Sequence, residues 1–226
     1  MSDNVPQIKS YYETYWSEGK KTFSGATYGY APNFRRWMTA ELRDLPPTTP
    51  VIEVGCGDAS FTTDLAKKFS DVTAIDISAG QIAENTKNFP GIKFVQHDLS
   101  ERIPYPDGTF EVAWCSEVLE HLFDPELALR EMHRILKPGG RLLVTVPYHG
   151  TFKNVLIALF KWDVHFAPSN PHIRFYTNNT LTRIAAKAGF QDIRIETCGM
   201  GQPVRDFFVP TNILLRATKG PRAKAG

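Results

Sequence analysis

A short apolar segment followed by two closely spaced glycines constrains the fold of this chain most strongly. Residues 51–54 have the sequence Val-Ile-Glu-Val, Gly55 and Gly57 follow, and a helical pattern begins a few residues later. A strand that ends in a glycine-rich turn and leads into a helix is typical of nucleotide-binding α/β folds. Glycine permits the sharp turn and lets a ligand approach the backbone without meeting a Cβ atom. Glu53 within the strand, and Ser60 where a third glycine would stand, favour a ligand other than a dinucleotide.

Strand and helix patterns alternate from residue 50 to residue 150. The predicted strands are Pro50–Val54, Val72–Ile77, Ile92–Gln96, Thr109–Cys115 and Arg141–Val146. The predicted helices are Ala59–Phe69, Ala79–Asn88 and one or two within Glu117–Leu136, and Lys137–Gly140 is predicted as a turn. This alternation indicates an α/β fold whose parallel sheet carries helices on both faces.

The flanking segments are assigned to the same domain. Residues 1–49 are predicted as a helical cap with helices at Gln7–Trp16 and Asn33–Leu45, and residues 50–150 as the binding core. Residues 151–178 are predicted as an irregular lid or substrate loop, since they lie beyond the fifth strand at the carboxyl edge of the sheet. A helix at Thr177–Ala188, strands at Phe190–Cys198 and Asn212–Thr218, and a disordered tail from residue 219 complete the single domain.

Charge and composition exclude several classes of protein. The 226 residues include 26 lysines and arginines against 24 acids, so no strong field attracts nucleic acid or a membrane. No apolar run has the length of a membrane span, and the N-terminus lacks the pattern of a signal peptide. The cysteines Cys56, Cys115 and Cys198 lack zinc spacing, which predicts free thiols in a reducing cytoplasm. A small-molecule partner is expected, and the oligomeric state stays open.

Two acids at the ends of predicted strands refine the choice of nucleotide. Asp76 closes the second strand, and its two carboxylate oxygens can accept from both ribose hydroxyls. Asp98 follows the third strand, where it could accept from an adenine amine. The loop at residues 55–61 contains no lysine or arginine for a phosphate. This pattern favours a ligand with an adenosine and a positively charged, phosphate-free tail.

Four ordered motifs resemble those of class I S-adenosylmethionine-dependent methyltransferases, of the ubiquinone-type or type 11 group. They are VIEVGCGDASF, TAIDIS, VQHDLSERIPYPDGTFEVAWCSEVLEHL and EMHRILKPGGRLLVTVP, and they cover residues 50–147. The implied fold is a Rossmann-like, doubly wound, seven-stranded, mostly parallel sheet with an antiparallel last strand, an N-terminal helical cap and a lid insertion. Ala59 departs from the family pattern, because many members have glycine there.

The resemblance also implies residues that bind the cofactor. They are Glu53, Gly55, Gly57, Asp76, Ile77, Asp98, Leu99 and Ser116. In the family, the residue matching Glu53 orders the glycine turn near the methionyl amine, and the one matching Ser116 faces the sulfonium. Ser116 and Asp76 could instead cap the helices that follow them.

Glu117, Glu120 and His121 form a second candidate site. On a helix they would share one face, where two carboxylates and an imidazole could hold a divalent metal. Such a metal could lower the pKa of a substrate hydroxyl. The segment resembles the EVxEH motif of ubiquinone-type O-methyltransferases and of methyltransferases that modify the 3′ ribose of small RNAs. In the RNA group a further histidine completes the site, and His172 matches it loosely; related segments without a metal also exist.

Other histidines and aromatic residues are candidates for contacts with the methyl acceptor. His121 and His149 are candidate catalytic bases, and His165 is a further one, although a solvated loop histidine is the simpler interpretation of His149 and His165. The lid aromatics could line an acceptor pocket or lie in the core beneath the lid. They are Phe152, Phe160, Trp162, Phe166, Phe175 and Tyr176.

The sequence therefore predicts methyl transfer from S-adenosylmethionine to a small molecule. The expected reaction is O-methylation of a phenol, a sugar or a secondary-metabolite hydroxyl, with a divalent metal as an optional participant. The alternatives are an RNA 2′-O-methyltransferase, N-methylation of a small amine, a non-catalytic cofactor-binding regulatory protein and an NAD-dependent dehydrogenase.

Overall fold

The predicted strands form one sheet. The computed structural model describes residues 5–17, 31–167, 171–199, 206 and 209–221. Within these residues the strands are β1 (Pro50–Val54), β2 (Asp71–Asp76), β3 (Lys93–Gln96), β4 (Phe110–Ser116), β5 (Leu136–Pro147), β6 (Phe190–Cys198) and β7 (Asn212–Lys219). Their order is β3-β2-β1-β4-β5-β7-β6, and β7 alone runs antiparallel to its neighbours. The predicted fold class is confirmed.

Helices cover both faces of this sheet. They are α1 (Val5–Ser17), α2 (Ala31–Leu42), α3 (Ser60–Ala66), α4 (Ala79–Asn88), α5 (Pro125–Ile135), α6 (Thr151–Phe160), α7 (Trp162–His165) and α8 (Asn178–Lys187). Successive residues of a strand point to opposite faces. Val51 and Trp114 accordingly pack with apolar residues of α2 and α3, while Ile52 and Val54 pack with those of α5 and α8. The two apolar layers hold the central strands rigidly between them.

The strand order places a crevice at the centre of the sheet. The chain runs outward from β1 through β2 to β3 and then crosses to β4 on the other side of β1. Ligands of open α/β folds bind where the strand order reverses, beyond the carboxyl ends of the strands. The segments that follow β1, β2, β3 and β4 all reach this crevice.

Local sequence signals fixed several helix ends. The α4 bounds match the prediction because Ser78 is its N-cap and accepts a hydrogen bond from the Gln81 N–H. Asp76 therefore does not cap this helix. Thr177 caps α8 with a reciprocal bond to Thr180, as predicted, and the helix ends before Gly189, which has φ 100°.

Three predicted segments differ from the observed structure. Residues 117–136 contain a single 3₁₀ turn, Leu119–His121, before α5, because Asp124 and Pro125 start a new helix. The predicted turn at 137–140 is a bulge inside β5, between the pairs Phe110–Leu136 and Val112–Arg141. The lid, predicted to be irregular, contains α6 and α7.

Smaller differences concern the chain ends. The cap helix α2 begins and ends a few residues earlier than predicted. Of the predicted tail, residue 219 belongs to β7, and residues 222–226 lie outside the described residues. All three cysteines are free thiols, as predicted. Within the described chain, the helices are too short or too polar to cross a membrane.

Candidate functional site: a cavity at the carboxyl edge of the sheet

A cavity of about 910 Å³ opens at the central crevice. Its walls include the glycine turn after β1, the ends of β2 and β4, residues 97–100 after β3, and aromatic side chains of α1. The sequence-predicted cofactor residues all line it: Glu53, Gly55, Gly57, Asp76, Ile77, Asp98, Leu99 and Ser116. So do Glu117, Glu120, His121 and His172. The fold thus joins the two predicted sites in one space.

The glycine turn requires glycine at its first position. Gly55 has φ 80°, and a Cβ atom built there would lie 2.3 Å from Cγ2 of Val118. Gly57, with φ 46°, donates its N–H to Oδ2 of Asp76 at 2.9 Å. Asp76 Oδ1 accepts from the Ser78 N–H at 3.0 Å. Asp76 therefore braces the turn, and each of its oxygens keeps a second lone pair for a ligand.

Glu53 lies at the base of this turn. Its side chain is 1% exposed and accepts a hydrogen bond from the Thr62 hydroxyl. Burial raises the pKa of Glu53 well above its usual range, and the nearby acids Asp58 and Asp76 raise it further. A cationic group placed beside these three acids would lower the pKa of Glu53, because it would stabilise the buried carboxylate and offset the repulsion between the acids.

The charges lining the cavity discriminate between nucleotides. Seven of the described lining residues are acids, and two, Lys153 and Arg174, are lysine or arginine. A pyrophosphate requires cationic or backbone donors, so this acidic wall disfavours a dinucleotide. Sulfonium and ammonium groups suit this acidic wall, because both are positively charged. The residues present therefore fit S-adenosylmethionine.

Polar contacts organise the end of β4. The Thr145 hydroxyl donates its proton to Oε1 of Glu117 at 2.9 Å. The Ser116 hydroxyl, 2.8 Å from the Thr145 hydroxyl oxygen, must therefore be the donor in the bond between Ser116 and Thr145. Ser116 keeps its lone pairs for a ligand. After β3, Asp98 accepts from the Ser100 N–H at 2.8 Å and also lines the cavity.

The prediction that Glu117 shares a helix face with Glu120 and His121 is wrong. Glu117 precedes the 3₁₀ turn and has φ 55°, so its side chain leaves in a different direction. Its second oxygen accepts from Nδ2 of Asn212 at 3.0 Å. Burial raises the pKa of Glu117 to about 7, although its bonds with Thr145 and Asn212 oppose the rise.

Glu120, His121 and His172 form a separate cluster. One ligand atom from each lies within 4.8 Å of the others. Glu120 is 1% exposed, and neither carboxylate oxygen has a hydrogen-bond partner among the described residues. Nδ1 of His121 lies 3.1 Å from the Pro171 carbonyl oxygen, which can only accept, so Nδ1 carries the proton. His121 Nε2 is then unprotonated, 3.8 Å from Glu120 Oε1.

The other predicted contacts lie elsewhere. His149 is absent from the described cavity lining and is only 3% exposed, so neither a cavity base nor a solvated loop histidine describes it. It contacts the rings of His165 and Phe175. Among the lid aromatics only Tyr176 is buried, and none lines the cavity. Both interpretations of the remaining five were wrong, because these side chains are between 37% and 73% exposed: Phe152 and Phe160 on α6, Trp162 on α7, and Phe166 and Phe175 after it.

Glu13, which sequence reasoning missed, holds one wall of the cavity in place. Its carboxylate accepts from the N–H groups of Ala79 and Gly80, at 2.6 and 3.2 Å, and from the Ser78 hydroxyl at 3.1 Å. These bonds hold α1 across the start of α4. The side chains of Tyr11, Tyr12 and Tyr15 consequently form one wall of the cavity. Nothing local in the sequence indicates this contact, which spans more than sixty residues.

A doubly wound sheet with an acidic cavity beyond β1 and β4 defines a Rossmann-like protein of the type that binds S-adenosylmethionine. Comparison with protein families agrees, since the family model described as "Methyltransferase domain" matches residues 52–144. The chain belongs to the class I S-adenosylmethionine-dependent methyltransferases, in the type 11 group.

Individual relatives support this membership. A Mycobacterium tuberculosis protein named "Probable S-adenosylmethionine-dependent methyltransferase" is 31% identical over 178 residues, which cover 76% of this chain and 61% of that protein. The chain thus spans less than two thirds of that relative's length. A demethylmenaquinone methyltransferase of Mycolicibacterium gilvum is 30% identical over 177 residues, which cover 71% of this chain and 76% of that protein.

Solved structures agree on the fold. A Thermotoga maritima structure, titled as a SAM-dependent methyltransferase and possible histamine N-methyltransferase, superposes with a TM-score of 0.67. The match covers 92% of this chain and 98% of that chain at 22% identity. An identity this low speaks for the fold alone.

Proposed function

We propose that this chain transfers a methyl group from S-adenosylmethionine to a hydroxyl of a small molecule, such as a phenol, a sugar or a secondary metabolite. The observation that carries the proposal is the single cavity. The braced glycine turn with its acids and the cluster of Glu120, His121 and His172 line the same cavity. A volume of about 910 Å³ is near the upper end for one small ligand, which leaves room for a cofactor and an acceptor together.

The cofactor supplies an electrophilic methyl group on a sulfonium. Asp76 would hold the ribose hydroxyls, Asp98 and Leu99 the adenine, and Glu53 with Asp58 would face the methionyl ammonium. Methyl transfer requires the acceptor to lie in line with the methyl and the sulfur, so positioning contributes much of the rate. The tyrosines of α1 would exclude water from the cavity.

His121 would accept the acceptor's proton. Its Nδ1–H is fixed on Pro171, and Nε2 is left as an acceptor inside the cavity. Burial lowers the pKa of His121 to about 4, so its imidazole is neutral at pH 7. A neutral imidazole beside a hydroxyl can act as a general base. His149, which is buried outside the described lining, is not given this role.

The test combines calorimetry with product analysis. S-adenosylmethionine should bind, and Asp76→Asn should weaken binding by roughly 1–3 kcal/mol through lost charge-assisted hydrogen bonds. Asp71→Asn, at the exposed opposite end of β2, is the matched control. Unchanged affinity in Asp76→Asn would remove this residue from the site. Binding of NAD without S-adenosylmethionine would overturn the assignment.

A hydroquinone is the first acceptor to assay, because the Mycolicibacterium gilvum relative is named for a menaquinone precursor. Mass spectrometry would distinguish O-methylation from C-methylation of the ring. A small amine tests the N-methylation alternative. Binding of the cofactor with no turnover of any acceptor class would favour a regulatory protein. The acidic lining opposes an RNA substrate. The free thiols support a cytoplasmic location, which cell fractionation tests.

A divalent cation at Glu120, His121 and His172 is a second proposal, and it replaces the general-base role of His121, because the Nε2 lone pair cannot both bind a cation and accept a proton. The specific observation is Glu120, a buried carboxylate whose oxygens both lack hydrogen-bond partners in the described structure. An isolated buried carboxylate is costly, and a cation would compensate it. One carboxylate and two neutral imidazoles suit zinc, manganese or iron. Such a cation would lower the pKa of a bound hydroxyl.

Metal binding can be measured without turnover. Chelator-treated protein should bind Zn²⁺ or Mn²⁺ in calorimetry, and Glu120→Gln should weaken binding at least tenfold, since even the loss of a partner that only orients a ligand costs about 10–100-fold. Glu117→Gln is the matched control, because Glu117 is bonded to Thr145 and Asn212 outside the cluster. Equal loss in both variants, or none in Glu120→Gln, would reject the site.

A further inference from the structure

The lid helices expose many of their large apolar side chains. Six large apolar side chains of α6 and α7 are between 49% and 75% exposed, and together they form what we name the lid surface: Phe152, Val155, Leu159, Phe160, Trp162 and Val164. The opposite side of α6 is apolar as well, since Ile157 is only 8% exposed. At the start of the helix, Lys153 donates to the Tyr148 carbonyl, and Asn154 donates to the His149 carbonyl. Six large exposed apolar side chains on two short helices indicate an apolar partner for this face.

We propose that the lid surface docks on the interface of an anionic lipid bilayer. Its composition is that of an interfacial anchor: Phe, Leu and Trp form the exposed face, and Lys161 stands directly before Trp162. The helices lie on the protein rather than extending as a span. The interaction is therefore of the peripheral kind, and it departs from the expectation of no membrane partner, which rested on the near-neutral net charge of the whole chain and on the absence of a long apolar run.

Charge favours anionic lipid over a second copy of the chain. Residues 150–167 and 171–175 contain three cations, Lys153, Lys161 and Arg174, and one acid, Asp163. Lys161, Arg174 and Asp163 are exposed, so the exposed charge of this part of the lid is net positive. Two copies meeting through this surface would bring like charges together, whereas phosphate headgroups would complement them.

Ring contacts connect the lid surface to the rim of the cavity: Trp162 contacts Phe166, and Phe166 contacts Phe175, which is next to Arg174 in the chain. Phe123, 53% exposed, and Arg174 both line the cavity and reach solvent, and the Arg174 guanidinium donates to the Phe123 carbonyl at 2.6 Å. An acceptor with a long apolar tail could leave that tail in the bilayer while its polar head enters the cavity. This substrate class rests on the proposed methyl transfer, whereas the docking does not.

Vesicle flotation tests the docking. Wild-type protein should float with phosphatidylcholine vesicles that contain phosphatidylglycerol, and less with phosphatidylcholine alone. The double variant Leu159→Ser, Phe160→Ser should reduce partitioning by roughly tenfold or more, since both exposed side chains would leave the interface. Lys161→Glu should weaken binding to the anionic vesicles selectively, and Lys87→Glu, the same charge change at the exposed end of α4, should not.

A spectroscopic readout guards against a variant that merely misfolds. In the folded wild type, vesicles should shift the Trp emission to the blue, and Trp162→Phe should abolish the shift while flotation persists. Absence of wild-type flotation, or equal flotation of the double variant, would overturn the proposal. The proposal would also be overturned if the wild type were a dimer that dissociates in the double variant and neither protein bound vesicles. Cofactor calorimetry without vesicles tests methyl-donor binding separately, so failure of one proposal leaves the other standing.

Discussion

Ala59 shows how a single residue can be held against its backbone preference. It lies at the junction of the glycine turn and α3, with φ 61°, and it is fully buried. Left-handed backbone costs an L-residue about 1–2 kcal/mol, which explains the family's frequent glycine at this position. The Ala59 N–H donates to the Cys56 carbonyl, and its carbonyl accepts from Thr63, so the turn and the helix both hold it there. The predicted helix start at this residue was therefore one position early.

We expect Ala59→Val to destabilise the fold by about 2 kcal/mol or more, because a branched side chain is strained at positive φ and has no space. Ala59→Gly is the matched control and should change stability by about 1 kcal/mol or less, since relief of strain offsets the added chain entropy. Urea unfolding measures both. A valine variant as stable as wild type would show that α3 can start differently.

At the scale of elements, α1 is attached to the core through one acid on the N-terminus of another helix. Glu13 satisfies free N–H groups at the start of α4, where the helix dipole favours a negative charge. Slight burial of Glu13 raises the pKa of its carboxyl, but the N–H groups of Ala79 and Gly80 outweigh it, and the pKa lies below its usual 4.5. The attachment of α1, which forms one wall of the cavity, thus depends on the charged form of Glu13.

This dependence predicts a loss of α1 attachment in acid. Because the folded pKa is lowered, the stabilisation is complete above about pH 4.5 and disappears as pH falls through the folded pKa. Hydrogen exchange of the α1 amides should accelerate in that range. Glu13→Gln should reproduce the change at pH 7, with a loss of about 0.5–1 kcal/mol.

Glu84→Gln, on the exposed side of α4, is the control for this prediction. Its α1 amides should exchange as in the wild type at every pH. If the α1 amides of Glu13→Gln exchange at the wild-type rate at pH 7, the tyrosines of α1, rather than the Glu13 carboxylate, hold this helix in place.

At the scale of the whole molecule, predictions succeeded where the signal was local. The α4 bounds were predicted correctly, although the cap is Ser78 and not Asp76, and the order of motifs along the chain placed Asp76 and Asp98 at the same edge. Prediction failed where distant groups decided. Glu117 was assigned to a helix face, but Thr145 and Asn212, from β5 and β7, hold it elsewhere.

The lid shows the same division. The apolar composition of the lid is evident from the sequence. Whether its residues face the core, the cavity or solvent depends on how α6 packs on the rest of the protein. Tyr176 turned inward and donates to the Leu119 carbonyl, whereas its neighbour Phe175 remains 42% exposed. Burial is a property of the assembled fold, and hydrophobicity alone does not assign it.

The sequence by itself determined the doubly wound sheet and the glycines and acids that line its central crevice, because strand periodicity, glycine turns and terminal acids are encoded over a few neighbouring positions. Only the tertiary structure separated Glu117 from Glu120, His121 and His172, placed Glu13 on α4 and exposed the lid surface. Those outcomes depend on contacts between segments far apart in the chain, which the packing of the sheet and its helices brings together.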